Sequence, residues 1–154
     1  MNPQTDVQLA SRCESTPSPD QIRNWTGAAL RVLQCDQVCL TVRMVDESEM
    51  TQLNERFRGR PGPTNVLSFP FQTPPGLPEP ASQLGDIVVC APLAEREALT
   101  QTKAVEAHFA HLVVHGVLHL RGHDHQEERQ AQEMETLEKT ILAGLGFSDP
   151  YQGA

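Results

Sequence analysis

Three histidines, His115, His119 and His125, fall at the spacing H-x-x-x-H-x-x-G-x-x-H within His115-Gly116-Val117-Leu118-His119-Leu120-Arg121-Gly122-His123-Asp124-His125. Residues four apart share one helix face, separated by a rise of about 6 Å, so His115 and His119 should point the same way. Gly122 can take the left-handed conformation that ends a helix, and the resulting turn would swing His125 toward the pair. Three neutral imidazoles converging on one point make a zinc site with a position left for water or substrate, the layout of a catalytic ion. One Zn2+ is therefore the expected cofactor. The plainer alternative is a helix whose histidines bind nothing. His108 and His111 lie upstream, outside the spacing, and read as ordinary helix residues; His123 has no assigned role.

The same spacing occurs in metzincin proteases, H-E-x-x-H-x-x-G-x-x-H, with one difference. The residue after the first histidine here is Gly116. In zinc proteases a glutamate at that place takes the proton from water, so a chain with the ligands and no glutamate does not fit the standard peptidase route.

The elements that must position these residues are legible along the chain. Val7 and Leu9 alternate with polar neighbours as a short strand, and Ser18-Pro19-Asp20-Gln21 reads as a capped helix start. Ile22, Trp25, Ala29, Val32 and Leu33 form that helix's apolar face, and Val38 to Met44 alternates as a strand. A second helix begins near Glu47, carries the stripe Met50, Leu53 and Phe57, and stops at Arg58-Gly59. Asn65 to Phe71 and Leu84 to Cys90 read as strands, separated by a proline-rich surface loop from Thr73 to Pro80. Pro92 opens a helical region, a longer helix runs near Lys103 to Leu120, and Met134, Leu137 and Ile141 mark a last amphipathic helix. The expectation is an α+β fold over residues 1–154: one compact domain, a mixed sheet of about four strands packed with about five helices.

Composition sets the bounds. The chain has 154 residues, 38% of them hydrophobic and 21% charged, which is enough for one ordinary core. No apolar run is long enough to span a membrane and the first residues lack signal-peptide order, so a cytoplasmic protein without membrane partners is expected. Cys13, Cys35, Cys39 and Cys90 form no Cys-x-x-Cys pair and read as reduced thiols. A net charge of −8 argues against nucleic acid binding over the whole surface but leaves room for a local basic cleft. Among the arginines, Arg58, Arg60 and Arg121 sit beside motifs and are the candidates to line such a cleft.

A second dense patch runs from Leu53-Asn54-Glu55-Arg56-Phe57-Arg58-Gly59 to Pro63-Thr64-Asn65-Val66-Leu67-Ser68-Phe69. Thr64, Asn65 and Ser68 interrupt an apolar strand, so they are either satisfied structurally or line a cleft. These two segments, Leu84-Gly85-Asp86-Ile87 and the histidine motif, in that order, resemble the YbeY endoribonucleases, bacterial rRNA maturation factors. The resemblance implies a single metal ion, usually zinc, on His115, His119 and His125, and an arginine important for activity at Arg58. It also implies cleavage of single-stranded RNA in ribosomal RNA processing, including small-subunit 3′-end maturation, and ribosome quality control. Single-stranded RNA, ribosomal RNA and the small ribosomal subunit are then the partners, with no DNA.

That chemistry makes sense of Gly116. Zinc polarises an oxygen and acidifies water without an adjacent glutamate, and a planar guanidinium at Arg58 suits a phosphoryl group. Asp124, next to a ligand, would orient a histidine or take a proton. Asp86 is either a structural acid at a strand start or a partner to the metal ligands. Two other functions stay open at this point: a metallopeptidase-like hydrolase, and a non-catalytic ribosome-assembly factor with a structural metal.

Overall fold

The computed structural model describes residues 4–35, 37–72, 75–77, 83–122 and 127–151. Its elements are β1 (Gln4–Ala10), α1 (Pro19–Val32), β2 (Cys39–Val45), α2 (Glu47–Arg58), β3 (Val66–Pro70), β4 (Gln83–Cys90), α3 (Ala91–Thr100), α4 (Val105–Leu120) and α5 (Glu128–Gly144). The strands form one mixed sheet in the order β1-β2-β4-β3. β1, β2 and β4 run parallel, and β3 joins the edge antiparallel to β4. The expected α+β architecture is the one observed.

Local chemistry explains the element limits. Ser18 caps α1 in a full capping box, its hydroxyl accepting from the Gln21 amide while the Gln21 side chain accepts from the Ser18 amide. α2 ends at Gly59, whose φ of 66° is left-handed. Gly85 is demanded by close approach: a Cβ there would sit 2.3 Å from the Phe69 carbonyl oxygen, where β3 and β4 meet.

Alternation sorts the sheet into two faces. Leu40, Val42, Met44, Ile87 and Val89 face a core built with α1, α4 and α5. Val45, Leu67, Val88 and Cys90 face the opposite way, over a smaller cluster completed by Met50 of α2. α4 lies at the centre of the larger layer and contacts α1, α3, α5, β3 and β4. That placement explains why its sequence is apolar on nearly every side, from His108 and Phe109 to Leu120. Two residues expected in apolar stripes are instead exposed: Val32 of α1 and Phe57 of α2. Cys13 and Cys90 form no disulfide. Among the described residues, no helix is long and apolar enough to cross a membrane.

Candidate metal centre

α4 brings His115 and His119 onto one face with their Nε2 atoms 3.0 Å apart. Two nitrogens sharing one tetrahedral zinc lie about 3.3 Å apart at ordinary bond lengths, so this spacing suits a shared ion. Gly122 follows the helix with φ of 90°, the left-handed turn its sequence position anticipated. His125, Asp124 and His123 lie outside the described residues.

Gly116 has a packing cause. Its missing Cβ would fall 2.8 Å from Ile87 Cγ2 and 3.1 Å from Ile87 Cδ1, on a residue of β4 with no exposed surface. The glycine lets α4 rest directly on the sheet. Ser68 of β3 strengthens the seam by donating its hydroxyl to the Gly116 carbonyl at 3.2 Å. A glutamate at this position would displace the helix that carries both histidines, so the peptidase base is sterically excluded from this backbone.

Behind the pair sits a carboxylate the sequence reading did not single out. Glu138 of α5 is 1% exposed and accepts from His115 Nδ1 at 3.3 Å, from His111 Nε2, and from the Tyr151 hydroxyl at 3.0 Å to each oxygen. Burial alone would raise its pKa, but hydrogen bonds and charge from His111 and His115 outweigh it and hold the carboxyl at about 2. The Tyr151 phenol is pushed up by burial and by the negative charge of Glu138. A carboxylate on Nδ1 fixes the His115 proton there and leaves the Nε2 lone pair facing His119, the usual support for a metal-ligating histidine. His111, read from sequence as an ordinary helix residue, is thus part of the site's support.

His111, His115 and Glu138 also place ligand atoms within 4.8 Å of one another, a second donor set able to hold a metal. Three donors already satisfy Glu138, so hydrogen bonding accounts for this cluster. His115 joins both groups, Nδ1 turned to the carboxylate and Nε2 to His119. Beside it, His108 donates from Nε2 to Glu97 at 2.9 Å, while its buried Nδ1 has no partner among the described residues. Desolvation keeps the His108 pKa below its ordinary value, partly offset by Glu97. Glu97 also accepts from Asn65 at 3.1 Å, which satisfies one of the polar residues of the second patch.

The remaining candidates are dispersed. Arg58 is exposed at the last position of α2, and Arg60 follows in a loop tied back to the helix. Asn54, which is buried, holds that loop: its side-chain amide donates to the Gly62 carbonyl at 2.9 Å and its backbone carbonyl accepts from the Arg60 amide at 3.4 Å. Arg121 is exposed just past α4. Asp86 lies in β4 and lines a groove with Arg43, Phe57 and Val88. Its neighbour Ile87 is the residue beneath Gly116, so Asp86 faces away from the histidines.

A mixed sheet in an α+β fold, with paired imidazoles on a buried helix and a carboxylate behind one of them, makes a donor set that could hold a metal ion. The model of the family Endoribonuclease YbeY matches residues 7–146. The chain belongs to that family. It is 54% identical over 137 residues to the Endoribonuclease YbeY of Alkalilimnicola ehrlichii, covering 88% of this chain and 82% of that protein. It is 49% identical over 149 residues to the Endoribonuclease YbeY of Coxiella burnetii, covering 96% and 97% respectively. The solution structure of TM1509 from Thermotoga maritima shares the fold, with a TM-score of 0.59 at 23% identity over 95% of this chain and 99% of that one.

Proposed function

We propose that this chain is a metal-dependent endoribonuclease that cuts single-stranded RNA during ribosomal RNA processing in the cytoplasm, including small-subunit 3′-end maturation and ribosome quality control. One observation carries the chemistry: two Nε2 atoms 3.0 Å apart, one of them on a ring whose Nδ1 is held by a buried carboxylate. The family relatives named for this activity support its direction.

In this reading His115, His119 and His125 hold one zinc ion. When bound, that ion supplies positive charge to a phosphoryl oxygen and acidifies water. The protein's own groups do the rest. Glu138, braced by His111 and Tyr151, keeps the His115 ring from rotating and keeps its proton on Nδ1. Arg58 clamps the phosphate with a permanent planar cation and neutralises charge as the phosphoryl group is attacked. Arg60 and Arg121 contact the RNA backbone, and Asp124 orients a ligand or accepts a proton. The packing of Gly116 on Ile87 disfavours the peptidase alternative, since the scaffold cannot carry that base.

The test is elemental analysis of purified protein beside cleavage of a defined single-stranded RNA, with and without chelator. We expect one equivalent of zinc and chelator-sensitive cleavage. R58A should stay folded and metal-loaded while losing about 10²-fold or more in cleavage rate. Full activity in R58A would remove its clamp role, and metal-loaded protein that cuts no RNA would favour the assembly-factor reading.

A further inference from the structure

The stripe Met50, Leu53 and Phe57 should bury one face of α2, yet its last member is 57% exposed. The Phe57 ring does not hang loose. It packs against Phe69 of β3 with centroids 5.4 Å apart and planes at 69°, and the Arg56 guanidinium carbon lies 5.3 Å from its centroid. The two rings, with Leu53 and Val88, form one wall of a groove of 500 Å3 on the α2 side of the sheet. Thr41, Arg43 and Asp86 line its polar part. Arg43 is already committed, chelating Glu49 at 2.7 and 2.9 Å and reaching Gln8 at 3.0 Å, so it is a rigid wall. Asp86 is exposed, and its carboxylate makes no hydrogen bond among the described residues.

Charge identifies the occupant. Arg56, Arg58 and Arg60 fall within five residues in a chain of net charge −8 that has only 12 lysines and arginines. An exposed aromatic ring beside a local cluster of arginines is the pairing that single-stranded nucleic acid recognises, with bases on the ring and phosphates on the cations. We propose that this groove docks one unpaired nucleobase of the RNA substrate, stacked on Phe57 with an amino-bearing edge toward Asp86. The inference rests on the endoribonuclease reading and adds where the strand goes. Ser68 bonds to α4 while the adjacent Phe69 faces the groove, so the edge strand β3 has the histidine helix on one face and the groove on the other. RNA would turn around that edge. A base held within a duplex cannot be offered to Phe57, so the groove itself selects single strands.

Binding of a labelled oligonucleotide of about ten nucleotides, carrying 2′-O-methyl riboses to resist cleavage, tests this by fluorescence anisotropy on the zinc-loaded protein. F57A should raise Kd about 10-fold, F57Y should stay within about 2-fold, and F57A should leave weak duplex binding unchanged. D86N should erase any preference for oligo-C over oligo-U. F57A should lose only the edge contact with Phe69 and melt a few degrees below the wild type, still folded at the assay temperature, which separates docking from folding. Wild-type affinity in F57A, with wild-type protein still cutting RNA, overturns the docking site alone. Wild-type protein that neither binds nor cuts single-stranded RNA overturns the endoribonuclease reading and the groove with it. Unchanged RNA binding in F57A together with lost co-sedimentation with ribosomal subunits assigns the groove to a protein partner and overturns the nucleobase.

Discussion

Replacing Gly116 with alanine isolates the contact that seats α4 on the sheet. In an unconstrained helix interior the change is favourable by about 1 kcal/mol, because glycine loses more backbone entropy. Here the new Cβ would meet Ile87 Cγ2 at 2.8 Å, Cδ1 at 3.1 Å and Cγ1 at 3.2 Å, all on one fully buried branched side chain. Overpacking of this kind costs about 1–3 kcal/mol, and the helix cannot retreat without stretching the Ser68 hydrogen bond to the Gly116 carbonyl. Set against the helix gain, the net is a loss of about 0–2 kcal/mol, or a Tm lowered by up to roughly 8 °C for a domain of this size. A double-mutant cycle with I87A makes the test specific. I87A alone destabilises by about 2–5 kcal/mol, but in its background the clash is gone and G116A should stabilise by about 1 kcal/mol. Thermal and denaturant melts of the four proteins give the coupling. If G116A raises Tm equally in the wild-type and I87A backgrounds, the contact is not what demands the glycine, and the steric account of the missing glutamate fails with it.

Two further outcomes follow from the same geometry. E138Q keeps the shape behind His115 but replaces the carboxylate, so zinc affinity measured by competition with a chromophoric chelator should fall about 10- to 100-fold; unchanged affinity would detach Glu138 from the metal site. His108 titrates below its ordinary 6.5 in the folded protein because of burial, so on acidification the unfolded chain takes up this proton first. Stability should therefore decline as pH falls from about 6.5 toward the folded value. Melts of chelated protein at about pH 7.5 and about pH 5.5 should show a smaller drop in H108Q than in wild type, and equal drops would refute the assignment.

The fold was largely legible because its signals are local. The capping box at Ser18 and Gln21, the alternation through β2, the apolar run of β4 and the glycine stops after α2 and α4 each act within a few residues. The His115–His119 pair was legible for the same reason, as a helix converts a four-residue spacing directly into a shared face. Glu138 was not, because it lies 23 residues from His115 and meets it only when α5 packs on α4. Tyr151 escaped notice on the same ground, and His111 read as an ordinary helix residue because its partner Glu138 is equally remote in sequence. Gly116 stood out in the sequence as an absent base, but its steric reason lies in Ile87, on a strand 29 residues earlier. Phe57 misled in the opposite direction: its period matched a buried stripe, while the sheet beneath offers only Phe69 and a groove.

The sequence contains one tyrosine, and its hydroxyl touches the carboxylate that steadies His115. Ultraviolet difference spectra of this chain thus report on a single phenol joined to a proposed ligand through one shared carboxylate. Spectrophotometric titration in alkali should find that phenol reluctant to ionise until the domain opens. Its absorbance is a built-in gauge of whether the histidine support is assembled, readable without label, tag or substrate.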